Sequence, residues 1–391
     1  MKTLNFRHTV AACCLGYMTQ ALVINFAPLS FITFQSEFGI PLGKVTALIT
    51  LTFLVQLVVD FLSTGIVKRF GYRITAVAAE LFAATGLILL GFLPDLLSDA
   101  YLGLVISVLF YSFGGGLLET VISPIVDGCP SDNKSASMSF LHSFYSWGVV
   151  VTVLFSTLAM GLFGRESWRT LALCWAALPL FNAFFFAAVP LPEPPEVTGK
   201  AMGIRALIRN KIFWFGAAMM LCSGAAELCM AQWASAFAES GLGVSKTTGD
   251  LLGPCLFSVM MGVARVADAK WGKPTTVKRN ILISAGLCIL SYLIAVLSPW
   301  PIFGLFGCAL CGYSVGIFWP GTLSLSASRL QSSTALFSFL ALFGDMGCTV
   351  GPTLVGSAAS LFGDNLKTGL AFGLLFPTVI FIMMILTMKK E

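Results

Sequence analysis

Long apolar stretches dominate the sequence and restrict its fold more than any other feature. A helix needs about 20 apolar residues to cross the hydrocarbon core of a bilayer, and in lipid the backbone must satisfy its own hydrogen bonds within helices or closed barrels. Twelve segments meet this requirement. They cover approximately residues 8–31, 43–66, 74–94, 100–124, 136–162, 168–190, 211–237, 246–268, 278–298, 301–325, 334–361 and 367–388. The sequence therefore predicts an all-α polytopic membrane protein with twelve transmembrane helices.

The charged residues are too few to cover the surface of a soluble protein of this size. Asp, Glu, Lys and Arg make up 10% of the 391 residues, against about 25% in soluble domains. The net charge of +5 comes from basic residues at segment ends and in short loops, without one basic face. The lipid bilayer is therefore the expected environment, and a nucleic-acid partner is not expected.

The distribution of Lys and Arg predicts the orientation, because basic residues concentrate in cytoplasmic loops. With the N-terminus inside, 17 of the 23 Lys and Arg residues fall in cytoplasmic segments, and Arg265 lies within a span. Five fall in outer loops: Lys44, Arg165, Arg169, Lys246 and Lys367. We expect a multi-pass protein of the cytoplasmic (inner) membrane with both termini cytoplasmic.

The longest polar stretch, Pro190–Asn210, separates the sixth and seventh apolar segments. Its prolines cannot continue a helix. The sequence therefore predicts an N-terminal six-helix bundle at 1–190, a cytoplasmic linker at 191–210 and a C-terminal six-helix bundle at 211–391. Residues 201–212 suit either a short interfacial helix, with basic residues toward lipid headgroups, or a disordered loop.

The two halves show weak internal similarity at a nearly constant spacing. FGIPLGK at Phe38–Lys44 resembles SGLGVSK at Ser240–Lys246, about 202 residues later. Three positions in the fourth span match three in the tenth, each 196 residues apart: Gly116, Thr120 and Pro124 match Gly312, Gly316 and Pro320. This pattern indicates two six-helix pseudo-repeats, the arrangement of major facilitator transporters.

The sequence contains no pattern typical of an enzyme. A GxSxG elbow, a P-loop, an HExxH motif and a dinucleotide fingerprint are all missing from it. Most of the 11 cysteines lie in apolar runs, and Cys308 and Cys311 form a CxxC without a second CxxC or a histidine pair at ligand spacing. We interpret the cysteines as small packing residues. No catalytic residue, metal site or cofactor is predicted.

An acidic residue lies within the fourth apolar segment. Residues Gly114–Pro124 read GGGLLETVISP and include Glu119. An ionisable group is costly inside a membrane and commonly marks a functional site, while the glycines allow a helix or a ligand to approach closely. A carboxyl group that is neutral in one conformation and charged in another suits a proton carrier. A carboxylate locked in an interhelical hydrogen bond is the structural alternative.

The sequence GGGLLETVISPIV resembles the fourth-span signature of the fucose–proton symporter group of the major facilitator superfamily, a glycine cluster followed by LETxxxP. This resemblance implies twelve helices in two pseudo-repeats, and it implies proton coupling and solute binding by Glu119. The fifth span, SFLHSFYSWGVVV, is similar to the next element of that group, in which polar side chains ahead of an aromatic–Gly pair face the sugar. By position this implies that His142 and Tyr145 bind solute, with Trp147 and Gly148 as the landmark pair. A histidine that only packs between helices is the alternative for His142.

The seventh span carries SGAAELCMAQW, similar to a GxxE…W pattern among relatives of the group. The resemblance implies solute-binding roles for Glu227, Gln232 and Trp233. In the tenth span, Tyr313 and Trp319 are aromatic residues that can stack on the apolar face of a sugar ring. Helix packing is the alternative for each aromatic residue taken alone.

The first span departs from the fucose group, whose symporters often carry an acidic residue there. The polar residues of this span are Gln20 and Asn25, which we expect to contact solute. In the eleventh span, Asp345 suits either a second proton-coupling acid or a partner for Arg265.

The loop between spans two and three also departs from the family pattern GxxxDRxGxR, because TGIVKRFGYR has Lys68 where the acid is expected. We therefore expect a cytoplasmic gate with a different charge pairing, built from Asp60, Lys68, Arg69 and Arg265, with Glu80 nearby. Independent extension of these side chains to the interface is the alternative.

These observations predict a secondary active transporter that works by alternating access. It would move a small polar solute, a sugar or sugar-like molecule, by proton-coupled symport through Glu119, and it would act as a monomer. Sodium in place of the proton stays open. The alternative is proton-coupled efflux of drugs or metabolites, although the glycine–proline pair usual in the fifth span of such antiporters is missing. A membrane sensor, scaffold or enzyme is a third class, for which the sequence offers no appended domain or catalytic cluster.

Overall fold

The computed structural model describes residues 4–199, 201–234, 237–238, 243, 251–363 and 365–388, and in these residues helices joined by short loops are the only regular secondary structure. Outside this set lie four of the cytoplasmic basic residues counted above, Lys2, Lys200, Lys389 and Lys390, and the repeat segment Ser240–Lys246 apart from Gly243. Eleven helices in the described part are long and apolar enough to cross a membrane. One of these, Leu42–Leu96, is 55 residues long and is interrupted at Gly71. Since its two parts each match one predicted span, the predicted count of twelve crossings is confirmed.

The kink at Gly71 has a local cause. Its backbone adopts φ 72° and ψ 172°, a conformation that glycine reaches without steric cost. The residues around it, Lys68–Arg73, are the polar loop that the sequence analysis placed between spans two and three. The chain therefore turns back at that loop, as the apolar pattern requires.

The described helices have the following bounds in chain order. They are α1 Phe6–Leu29, α2 Phe31–Phe38, α3 Leu42–Leu96, α4 Ala100–Gly128, α5 Lys134–Phe163, α6 Trp168–Ala188, α7 Pro195–Thr198, α8 Ile204–Arg209, α9 Lys211–Ala231, α10 Leu256–Trp271, α11 Val277–Leu297, α12 Pro301–Val315, α13 Phe318–Arg329, α14 Thr334–Leu361, α15 Leu366–Gly373 and α16 Leu375–Met388. The predicted tenth span is therefore broken between α12 and α13, and the linker does form a short helix, α8.

By its internal contacts the chain divides into two compact units. Unit 1 comprises Met1–Pro130, Trp147–Ala201 and Ser332–Ser338, and unit 2 comprises Ser131–Ser146, Met202–Gln331 and Phe339–Glu391. The first half of α5 thus belongs to unit 2, and the start of α14 belongs to unit 1. The domain boundaries at 190 and 211 remain a prediction. The segments Ser131–Ser146 and Ser332–Ser338 each group with the opposite half of the chain.

Polar side chains mark several helix starts, where the first backbone N–H groups have no helical partner. Asn5 accepts from the Arg7 backbone N–H, Asp99 from that of Tyr101 and Asn210 from that of Ile212. Each of these short polar residues directly precedes an apolar segment in the sequence, and it fixes where that helix begins.

In unit 1, the three consecutive glycines of α4 allow other helices to approach from three directions. A Cβ added to Gly114 would lie 2.5 Å from the Ala83 nitrogen in the second half of α3. One added to Gly115 would lie 2.9 Å from Val23 of α1, and one added to Gly116 would lie 3.2 Å from Val59 in the first half of α3. Successive helical residues point about 100° apart, so α4 is enclosed at this level.

Corresponding glycine contacts occur within each unit, as expected for a pseudo-repeat. In unit 1 a Cβ on Gly148 of α5 would lie 2.8 Å from the Ala21 Cβ of α1. In unit 2 a Cβ on Gly351 of α14 would lie 2.8 Å from the Ala225 Cα of α9. The fifth span thus packs on the first as the eleventh packs on the seventh.

Candidate functional site: buried polar residues of the two units

Glu119 lies one helical turn after the glycine cluster of α4. It follows Gly115 by four residues and Gly116 by three, so it shares their face of the helix, which is directed toward α1 and the first half of α3. There the Gln56 Nε2 donates a hydrogen bond to Glu119 Oε2 at 3.3 Å. Glu119 is half-buried and Gln56 is 1% exposed. The glycines therefore bring the carboxyl group against a buried amide.

Helix α1 runs antiparallel to α4, and its contacts place Gln20 at the depth of Glu119. A Cβ on Gly16 would lie 2.5 Å from Ile122 Cδ1, and the Tyr17 hydroxyl is 2.7 Å from Ser123 Oγ. Gln20 is 3% exposed, and its Oε1 has no hydrogen-bond partner among the described residues. The amide oxygen of Gln20 thus stays available to another group.

The other polar residue predicted in this span is used within its own helix. Asn25 Nδ2 donates to the Ala21 carbonyl oxygen at 2.8 Å, and Asn25 is half-buried. This bond accounts for one of its two amide donors. Its role in solute binding remains a prediction.

In unit 2, Arg265 of α10 is the centre of a buried polar network. Its Nη1 donates to the His142 carbonyl oxygen at 3.0 Å and to Ser146 Oγ at 2.8 Å. Its Nη2 lies 3.6 Å from Glu227 Oε2 of α9, and the two side chains are 3% and 13% exposed. A buried guanidinium needs both a counter-charge and filled donor positions, and this arrangement supplies both.

The break between α12 and α13 supplies a further acceptor to Arg265. Gly316 lies four residues before Pro320, which has no backbone N–H, so the Gly316 carbonyl lacks its usual helical donor. Arg265 Nε donates to that carbonyl oxygen at 2.9 Å. A Cβ on Gly316 would lie 2.8 Å from the Ala264 Cβ, so glycine permits the close approach of α10.

Two of the aromatic residues predicted to bind solute pack against glycines of α14. Trp233 Nε1 donates to the Pro352 carbonyl oxygen at 3.1 Å, and its ring would lie 2.8 Å from a Cβ on Gly356. A Cβ added to Gly344 would overlap the Trp319 ring. Both rings are half-buried, so packing is the role that their contacts display, and solute binding remains a prediction.

The remaining predicted solute-binding residues differ in exposure. Tyr145 and Tyr313 are half-buried, Gln232 is exposed, and His142 is 4% exposed. Asp345 is 5% exposed, and its Oδ2 has no hydrogen-bond partner among the described residues. Arg265 forms an ion pair with Glu227, and the alternative pairing of Arg265 with Asp345 remains a prediction.

The residues predicted to form a gate do not share one environment. Asp60 is fully buried, and Ser63 donates to its backbone carbonyl oxygen at 2.9 Å. Lys68 and Arg69 are exposed. Asp60, Lys68 and Arg69 belong to unit 1 and Arg265 to unit 2, so the gate remains a prediction.

Sequence reasoning left Gln56 and Ser146 without a role, although each binds a predicted site residue. Gln56 is a polar residue in an apolar run, which by itself indicates no partner. Ser146 lies four residues after His142, and this spacing could have indicated a shared helix face. The long-range partners, Glu119 for Gln56 and Arg265 for Ser146, leave no local signal in the sequence.

The sequence matches the family model of the Major Facilitator Superfamily over residues 11–352. The chain belongs to the Major Facilitator Superfamily. This membership confirms the family resemblance drawn from GGGLLETVISPIV, and with the helical structure it confirms the fold class. The protein is therefore a multi-pass membrane transporter of this superfamily.

Solved structures share the fold at low sequence identity. The fucose:proton symporter of E. coli aligns with a TM-score of 0.79 and 17% identity, covering 96% of this chain and 97% of that one. A human organic anion transporter aligns with a TM-score of 0.75 and 15% identity, covering 97% of this chain and 99% of that one. A proton:xylose symporter aligns with a TM-score of 0.73 and 13% identity, covering 98% of this chain and 95% of that one. A search of curated proteins gives no significant match.

Proposed function

We propose that this superfamily member is a secondary active transporter that couples movement of a small polar solute to protons through Glu119. The observation that carries the proposal is the hydrogen bond of 3.3 Å from Gln56 Nε2 to Glu119 Oε2, inside the membrane-spanning helices of unit 1. The solute class that we propose is a sugar or a sugar-like molecule. The transporter would lie in the cytoplasmic membrane with both termini inside, and it would act as a monomer by alternating access.

A neutral amide is a suitable partner for a carboxyl group that changes its protonation state. A guanidinium at the same position would favour the charged carboxylate strongly. An amide can donate to either form, so this bond does not fix the charge of Glu119. This property supports Glu119 as the proton carrier and Gln56 as the residue that positions it.

Each unit by itself offers polar groups that suit a hydroxyl-rich solute. Gln20 in unit 1 has an unpartnered amide oxygen, and unit 2 offers Glu227 and Tyr313 on half-buried side chains. Pockets for small polar ligands combine apolar walls with a few such groups. Two of the solved structures with this fold are sugar:proton symporters by name. Their sequence identity to this chain is so low that the similarity supports the fold alone.

The energy available from one proton is sufficient for accumulation. A charge that crosses a potential of 100 mV contributes about 2.3 kcal/mol, and this is equivalent to a concentration ratio of roughly 50. No nucleotide is required for such transport.

Proton movement in proteoliposomes tests the function. External pH is followed while monosaccharides, deoxysugars, polyols and organic cations are added one at a time to the wild type, to Glu119→Gln and to Glu166→Gln. Glu166 is exposed, so its variant controls for the loss of a carboxylate. We expect external alkalinisation with one solute class, lost in Glu119→Gln and kept in Glu166→Gln, while solute exchange survives in both. Acidification during solute entry would indicate antiport instead, and a full response in Glu119→Gln would refute proton carriage by that residue.

A further inference from the structure

Unit 1 buries two carboxyl groups besides Glu119, those of Asp60 and Glu80, and the proposed function uses neither. Glu80 of α3 is fully buried. Its Oε1 accepts a hydrogen bond from Asn182 Nδ2 of α6 at 2.6 Å, and the same nitrogen donates to the Ala12 carbonyl oxygen of α1 at 3.0 Å. The carboxyl group therefore lies where three helices meet, held by one amide.

No positive charge compensates Glu80 in the described part of the chain. The ion pairs found there join Arg169 with Glu37 and Asp95, and Arg265 with Glu227. An isolated carboxylate that is cut off from water is so costly that the group takes up a proton instead. A proton is therefore the simplest way to neutralise Glu80 in this arrangement.

The neighbouring oxygen atoms can accommodate a proton. Glu80 Oε2 and the Thr19 hydroxyl of α1 are both buried, and Thr19 is the neighbouring hydroxyl that faces this carboxyl group. A protonated Oε2 can donate to Thr19 Oγ1, and the hydroxyl can donate to an ionised Oε2. The pair therefore fits either state, and the burial of Glu80 without a positive charge is what favours the proton.

The packing around Glu80 keeps this site dry and places it close to Glu119. A Cβ on Gly16 of α1 would lie 3.4 Å from Glu80 Oε1 and 2.5 Å from Ile122 Cδ1 of α4. Gly16 is four residues from Gln20, which lies at the depth of Glu119, so the two carboxyl groups differ in depth by about 6 Å along α1. The titratable group on the facing helices that interacts with Glu80 is the Cys13 thiol of α1.

We propose that Glu80 is a second proton-binding site of unit 1, separate from Glu119. It carries a proton on Oε2 in the arrangement seen here and releases that proton to water when the helices around it part. The ligand is a proton, and the products of release are the Glu80 carboxylate and a protonated water molecule. Asn182 positions the carboxyl group in both states, because its amide donates to Oε1.

Infrared spectroscopy of the whole protein in lipid tests this site without any solute. The carbonyl stretching band of protonated carboxyl groups is recorded against pH for the wild type, Glu80→Gln, Glu119→Gln and Asp95→Asn. Asp95 is a carboxylate on the same helix that is ion-paired with Arg169, so its variant is the matched control. We expect a band that disappears reversibly at high pH, that is missing in Glu80→Gln, and that persists in the other two variants.

Three results would overturn the proposal. Identical spectra of the wild type and Glu80→Gln at every pH would mean that Glu80 is ionised. A Glu80 band that never changes with pH would mean a permanently neutral structural acid. Loss of the band on addition of sodium at constant pH would assign the site to a metal cation. Since glutamine resembles a protonated glutamate in shape and polarity, we expect Glu80→Gln to fold.

A transport readout links the site to the cycle, and this readout rests on the proposed function. With the solute found above, we expect Glu80→Gln to move fewer protons per solute than the wild type while solute exchange continues, and an unchanged ratio would remove Glu80 from the cycle. If the wild type moves no protons with any solute, the proposed function fails, and the infrared titration alone decides whether Glu80 binds a proton.

Discussion

The buried side chain of Arg265 binds groups from several helices. Its guanidinium reaches backbone oxygens of α5 and of the break after α12, and it also reaches the Glu227 carboxylate of α9. Each of these groups would be costly to bury alone. The network therefore stabilises the local packing of unit 2, whatever part Glu227 plays toward a solute.

Replacement of Arg265 by alanine should destabilise the protein. We expect a loss of about 3–5 kcal/mol, because the Glu227 carboxylate would be left buried without its partner. The double variant Arg265→Ala/Glu227→Gln should recover part of that loss. Apparent melting temperatures in detergent measure both effects. Arg279→Ala is the control, since Arg279 is exposed on α11 and should change stability by less than about 0.5 kcal/mol.

At the scale of elements, helix contacts in both units depend on glycines that admit a neighbouring backbone. The contact of Gly114 with the second half of α3 and that of Gly351 with α9 leave no space for a side chain. Other glycines in the same helices have different surroundings. Gly161 of α5 would place a Cβ with no atom within 4 Å, so its presence is not required by packing.

This difference predicts opposite effects for two alanine substitutions. Gly114→Ala should cost about 1–3 kcal/mol, because the added methyl group overlaps α3. Gly161→Ala should be neutral or stabilise by up to about 1 kcal/mol, since alanine favours the helix. Thermal unfolding in one detergent compares them directly. Equal melting temperatures of the two variants would contradict the packing described for α4.

The start of α14 is bound to the linker within unit 1. Glu196 Oε1 accepts from the Ala335 backbone N–H at 3.2 Å, and Oε2 accepts from Thr334 Oγ1 at 3.1 Å. The Tyr72 hydroxyl lies 3.0 Å from the same Thr334 oxygen. A carboxylate at a helix N-terminus satisfies free N–H groups and complements the helix dipole. The linker therefore stabilises the first turn of α14.

Loss of this carboxylate should loosen the first turn of α14. We expect Glu196→Ala to cost about 1 kcal/mol locally and to raise hydrogen exchange of residues 334–338 several-fold, as measured by mass spectrometry. Glu193→Ala is the matched control, because Glu193 is an exposed carboxylate three residues earlier. Equal exchange in the two variants would show that Glu196 does not cap α14.

For the whole molecule, the orientation in the membrane follows from charge distribution alone and remains a prediction. Lys68 and Arg165 are both exposed, and the basic-residue bias assigns them to opposite sides. In a background without the exposed Cys174, we expect an impermeant maleimide to label Arg165→Cys in intact cells. Lys68→Cys should be labelled only after the membrane is opened. The reverse result would invert the topology and exclude cytoplasmic termini.

Much of the fold could be predicted because lipid imposes a length and an apolar composition on every spanning helix. The segments 100–124 and 334–361 lie within single helices of nearly that extent, α4 and α14. The spacing of Gly316 and Pro320 also predicts a carbonyl without a helical donor, since proline has no N–H for the carbonyl four residues earlier. The spacing could not show which side chain would donate to that carbonyl.

By itself, the sequence determined the membrane environment, the number of crossings and Glu119 as an acid inside a span, because these follow from local composition and from the cost of charge in lipid. Only the tertiary structure decided the partners: Gln56 for Glu119, Glu227 for Arg265, and Asn182 for Glu80. These pairs join residues up to 102 positions apart. The free energy of such a contact depends on burial and on geometry between helices, and neither is encoded in the spacing along one helix.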